Sequence, residues 1–162
     1  SLILVCININ GKLSMAQDFV VGLKAFKSQD YKVAYQQFIP LAEAGDIRAQ
    51  TYIGMMHFNG LSVPRNFEIA AKWYEKAADN GHPHAQFYLG WMYDTGKGVE
   101  KDNGLAFHWF ESAALQGHPR AQNNLGVMYK KNKQYDEAIK KPTTTGRNFN
   151  GPSITSIIAS SI

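Results

Sequence analysis

The sequence predicts an all-α protein, a right-handed α-α superhelix built from stacked helical hairpins, on three observations. The chain repeats itself at a spacing of 36 residues: Ala49-Gln50, Ala85-Gln86 and Ala121-Gln122 fall in register, as do Ile53-Gly54, Leu89-Gly90 and Leu125-Gly126. Within one period, apolar residues take helical spacing in two runs, Ala85, Leu89, Met92 and Tyr93 in the first and Ala106, Trp109, Phe110, Ala113 and Ala114 in the second. Helix-starting and helix-ending residues separate the runs. Pro83 and Pro119 stand where a first helix begins, Asn66 and Asp102 where a second helix needs a cap, and Gly81 and Gly117 where it closes.

Other positions recur in the same register. Met56, Met92 and Met128 align, as do Trp73 with Trp109, Ala77-Ala78 with Ala113-Ala114, and His82-Pro83 with His118-Pro119. Gly54, Gly90 and Gly126 lie inside predicted helices, where glycine costs about 1 kcal/mol relative to alanine. A repeated cost of that kind predicts close approach of a neighbouring helix. The end units are shorter: Gly22 precedes Ala34, and Gly126 precedes Ala138, by four residues less than Gly54 precedes Ala70. DYKVAYQQF and QYDEAIK are therefore each expected to follow a tighter turn, giving about four hairpins in part or whole.

Gly96-Lys97-Gly98 resembles a phosphate-cradling loop until the register is applied. It corresponds to Gly60-Leu61-Ser62 one repeat earlier, and is a recurring inter-helix turn. The four-residue gap and strand of a nucleotide-binding loop are missing.

The pattern A-Q-x-x-L-G-x-M-Y, then G-x-G-V, then A-x-x-W-F/Y-x-x-A-A-x-x-G resembles the Sel1-like repeat. The shorter end units resemble its relative, the tetratricopeptide repeat. The resemblance covers about residues 17–140 and departs at three places: His57 replaces a tyrosine, the loop 59–63 lacks its second glycine, and Asn103-Gly104 weaken a helix start. It implies a non-catalytic protein-protein adaptor that takes a peptide or partner protein into a groove lined by the first helices. The positions left over from the core are Thr51, Met55 and Phe58, then Phe87, Trp91 and Asp94, then Asn123, Val127 and Lys130. Phe87 and Trp91 are one helical turn apart, so both can face one partner, with Asp94 and Lys130 setting polarity. The alternative is that the adjacent unit buries Trp91.

Composition argues against several other classes. The formal charge is +4, from 17 basic and 13 acidic residues, but Lys12, Lys141 and Arg147 lie outside 17–140 and no acidic residue does. The repeat region is thus nearly neutral, without a basic stripe for nucleic acid. Cys6 is the single cysteine, which excludes an intrachain disulfide and a thiolate zinc cluster. His82, His84 and His118 flank helix starts, and polar turn residues explain them better than a metal site. His57 and His108 have no carboxylate constellation, and no catalytic set, metal site or cofactor is expected. Two alternatives stay open beside the adaptor. One is an envelope enzyme of cell-wall or β-lactam chemistry, weakened because the penicillin-binding relatives are disulfide-stapled. The other is a structural segment of a longer repeat protein.

Residues 1–16 read as the end of a secretory signal. The apolar run Leu2 to Ile9 leads to a small-x-small box at Ser14-Met15-Ala16 and is too short to span a membrane, which takes about 20 apolar residues. This predicts a periplasmic or secreted protein, whereas a true start at Met15 predicts a cytoplasmic one. Past Lys140 the register predicts an aromatic pair, two alanines and a glycine, yet the chain supplies Pro142 and threonines. The reading is that 141–162 is non-native and the array continues in another frame; a genuine, irregular terminus is the alternative. Translation of the coding DNA in all frames distinguishes them.

Overall fold

The computed structural model describes residues 17–140, with side chains described over 17–131. The expected signal segment, Cys6 and the tail from 141 onward lie outside the described residues. The chain divides after Met128 into two parts.

Among the described residues every regular element is a helix. α1 covers 17–27, and α2 Tyr31–Glu43, α3 Ile47–Asn59, α4 Phe67–Asp79, α5 Pro83–Thr95, α6 Asn103–Leu115 and α7 Pro119–Lys140 follow. α1 pairs with α2, α3 with α4 and α5 with α6, so the first part is a stack of hairpins ending on the start of α7. Side-chain caps set the boundaries: Asp30, Asp46, Asn66 and Asp102 each accept a backbone N–H from the first turn of the helix they precede. Pro83 opens α5 at a position whose N–H has no helical partner to lose.

Contact explains the glycines of α1, α3 and α5, whereas the expected close approach is absent at Gly126, where a Cβ would meet none of the described residues within 4 Å. A Cβ on Gly54 would sit 2.9 Å from the Tyr74 ring, and one on Gly90 would sit 3.0 Å from Phe110. α1, α3 and α5 therefore each let an aromatic ring of the second helix lie directly on the backbone. Phe38, Tyr74 and Phe110 are buried at these crossings, each removing enough apolar surface from water to contribute about 2 kcal/mol. Trp73 and Trp109 have a different task. They pack, half-buried, on apolar clusters that span the first helix of their own hairpin and the hairpin before it.

The repeated Ala-Gln pair joins successive hairpins. Gln50 Nε2 donates to the Ala42 carbonyl at 3.1 Å, Gln86 Nε2 to Ala78 at 3.2 Å, and Gln122 Nε2 to Ala114 at 3.2 Å. Each amide thereby adds a second hydrogen bond to a helix-end carbonyl that already accepts the N–H of Gly45, Gly81 or Gly117 just past the helix.

The expected last turn does not form. α7 runs unbroken for 22 residues from Pro119, where a hairpin closing before QYDEAIK was predicted. The cap position occupied by Asp30 in the first hairpin is Gln134 here, which is a poor cap, and Lys, Gln and Glu between 130 and 137 favour helix. The second part contains the continuation of this helix from Tyr129 to Lys140.

Candidate functional site

The residues expected to line the groove divide by depth. Thr51 is buried: its hydroxyl donates to the Ile47 carbonyl at 2.9 Å and lies 3.2 Å from His82 Nδ1. Phe87 is buried as well, 6% exposed, because the His118 imidazole from the next repeat stacks on its face with centroids 4.7 Å apart and planes 18° apart. Phe110 and Tyr88 close its other sides. Phe87 and Thr51 therefore support the wall from within and do not present their side chains, a correction to their expected part. The cause is a contact between repeats that helical spacing within one repeat does not reveal.

Phe58 and Trp91 come together. They sit on equivalent first helices, α3 and α5, half-buried, with rings edge-to-face at 5.3 Å. Tyr88 lies 5.5 Å from Phe58 and stacks on buried Tyr74 at 5.1 Å, so the exposed pair rests on a fixed aromatic floor. Phe67 meets Phe58 edge-on at 5.3 Å from the start of α4. Met55 is half-buried against the same cluster, and Asp94, half-buried, follows Trp91 by three residues on α5. Neither expected reading of Trp91 holds alone: the neighbouring unit covers part of the indole and leaves part in solvent.

Sequence reasoning missed three members of this patch. Lys97, from the Gly-Lys-Gly turn, places its ammonium 5.0 Å from the Trp91 ring and 5.6 Å from Phe67, within cation-π range. The turn is therefore the mount for a cation over the aromatic pair. Tyr88 had a signal, since Tyr52 precedes it by one repeat, but recurrence reads equally as core packing. Phe67 had no signal beyond its hydrophobicity.

Farther along, Asn123 and Val127 on α7 are exposed, Val127 at 51%. Lys130, also exposed, lies past Met128 and belongs to the second part. The surface offers apolar rings with the Lys97 ammonium over them and Asp94 one turn along α5 from Trp91. Among the described residues, no group of three or more His, Cys, Asp or Glu is placed to hold a metal ion, and no helix is long and apolar enough to cross a membrane.

The Sel1 repeat family model matches residues 47–82, 83–118 and 119–131, together just over half of the chain. Among solved structures, the Sel1 repeat protein from Oxalobacter formigenes is 34% identical with a TM-score of 0.65, over 68% of this chain and 45% of that one. A protective antigen present in uropathogenic Escherichia coli strains, displaying an SLR fold, is 32% identical with a TM-score of 0.68, over 75% of this chain and 28% of that one. This chain thus spans less than half the length of either. The Helicobacter pylori cysteine-rich protein B, 21% identical with a TM-score of 0.55 over 69% of this chain and 95% of that one, shares the fold. No curated protein matches. With the glycine-on-aromatic crossings and the glutamine joints explaining the residues that recur, the chain belongs to the Sel1 repeat family.

Proposed function

We propose that the protein is a non-catalytic adaptor whose first helices hold an extended peptide or a helix of a partner protein. The observation that carries this reading is the half-exposed Phe58–Trp91 pair, fixed from below by Tyr88 and overhung by Lys97. Aromatic side chains held rigidly and only partly desolvated lose little entropy on binding, and such residues dominate interface energetics. Met55 extends the apolar patch, Asp94 and Lys97 give it opposite charges at its border, and Asn123 and Val127 continue it along α7. The same family membership supports a scaffold role. We place the work in the periplasm or outside the cell, on the leader-like run ending at Ser14-Met15-Ala16.

The test is to pan a random peptide library against the chain and compare binding to Trp91→Ala and Asp94→Lys variants with unchanged helical circular dichroism. Peptides enriched for an apolar or aromatic anchor are expected to bind the parent and to lose about tenfold or more in affinity with Trp91→Ala. Asp94→Lys is expected to shift the charge preference beside the anchor. Equal binding to parent and both variants moves the binding surface elsewhere.

A further inference from the structure

The first turns of α3, α5 and α7 lie side by side, and the residue before each helix is Asp46, His82 and His118 in turn. Asp46 caps α3 through its carboxylate, which accepts the N–H groups of Arg48 and Ala49 at 2.9 and 3.0 Å. In α7 the histidine takes over that role: the Ala121 N–H donates to His118 Nδ1 at 3.3 Å. Accepting there requires Nδ1 to be unprotonated, so the ring proton sits on Nε2. Nε2 in turn faces His84 Nδ1 at 3.1 Å and donates to it. The tautomers of both rings follow from these two bonds.

The arrangement has no place for another proton. A proton added to His118 occupies Nδ1 and ends the cap on Ala121. A proton added to His84 occupies Nδ1, which either faces the Nε2–H of His118 donor to donor or forces that ring into the other tautomer, again ending the cap. Each route breaks one of the two bonds and sets a positive charge at the positive end of a helix dipole. His82, whose ring lies 6.0 Å from that of His84, has turned away from capping α5 and meets the Thr51 hydroxyl. From the α3 side the cluster faces Asp46, itself tied to Arg48 at 2.9 Å, and from α7 it faces Arg120. Asp46 favours charge on His82, while Arg120 opposes it on His118.

We propose that His84 and His118, with His82 beside them, form a proton-operated seam between α5 and the first turn of α7: closed when the rings are neutral, opened by mild acid. Opening lifts the His118 ring from Phe87 and uncovers an aromatic face that neutral pH keeps buried. The pKa values of His118 and His82 are lowered by burial first and by His84 second, which agrees with a cluster that resists protonation. This inference stands independently of the Phe58–Trp91 surface.

The two capped amides supply an internal comparison, since Ala49 is held by a carboxylate and Ala121 by an imidazole. Amide hydrogen exchange of the full chain between about pH 7.5 and 5 is expected to show protection of Ala121 falling about tenfold relative to Ala49. In nitrogen-detected titrations, His118 is expected to titrate below the free value of about 6.5. In His118→Asp, which restores the cap chemistry of α3, the Ala121 to Ala49 ratio is expected to stay constant over the same range. A constant ratio in the parent, or titration of His118 at or above the free value, overturns the proposal.

Discussion

At the scale of single residues, recurrence is visible in the sequence but its cause is not. Gln50, Gln86 and Gln122 align without revealing that each amide reaches back to a helix-end carbonyl, because that acceptor comes near only after the hairpins stack. The exceptions are equally informative. Gln86 Oε1 accepts from Gln116 Nε2 at 2.8 Å, whereas buried Gln50 Oε1 has no partner. The residue equivalent to Gln116 is Asn80, one methylene shorter, and its amide turns to the Lys76 carbonyl of its own helix. Asn80→Gln is therefore expected to satisfy Gln50 and raise stability by about 1 kcal/mol, read from the urea midpoint. Tyr74 poses the opposite problem: its hydroxyl is buried without a partner, and burial pushes its pKa well above the usual phenol range. Phe110 fills the same place one repeat later. Tyr74→Phe is expected to stabilise the fold by about 1 kcal/mol, since it removes an unsatisfied group and leaves the ring on Gly54.

At the scale of elements, the hairpins, proline starts and side-chain caps were legible because each rests on local chemistry that the chain carries in a few adjacent residues. The turn between first and second helices shows how far such chemistry extends. Gly98 takes φ +75°, and its Cα lies so close to Phe67 that a Cβ would meet the Phe67 carbonyl carbon at 2.4 Å. Ser62 occupies the equivalent position at φ +63°, a conformation that costs a residue with a Cβ about 1 kcal/mol. Ser62→Gly is expected to recover about that amount, measured as a shift of the thermal midpoint with unchanged circular dichroism. The unbroken α7 was not legible. Equal spacing of Gly22–Ala34 and Gly126–Ala138 pointed to equal turns, but only the first has an aspartate to stop and restart the helix. Spacing fixes where a turn fits; the capping residue decides whether it forms.

At the scale of the whole molecule, the candidate surface was half legible. Trp91 and Phe58 were found from the faces of separate helices, but the burial of Phe87 depends on a ring supplied 31 residues later. Acid stability also belongs to this scale. His57, His82 and His118 all have pKa values lowered chiefly by burial. In such a case the unfolded chain takes up protons first, so their contribution is intact above the unfolded value of about 6.5 and is lost as pH falls through the lower folded values. Urea midpoints are expected to decline across that window. His57→Tyr, matching Tyr93 one repeat later, is expected to flatten part of the decline.

The glutamine joint also governs how a gene of this kind can change length. Gln86 and Gln122 reach back by the same eight residues, to Ala78 and Ala114. Excision of the codons for 83–118 sets Gln122 eight residues past Ala78, where it finds an acceptor identical to the one removed. Unequal crossing-over by whole repeats thus keeps this joint, while a crossover of any other length takes the glutamine amide away from its acceptor.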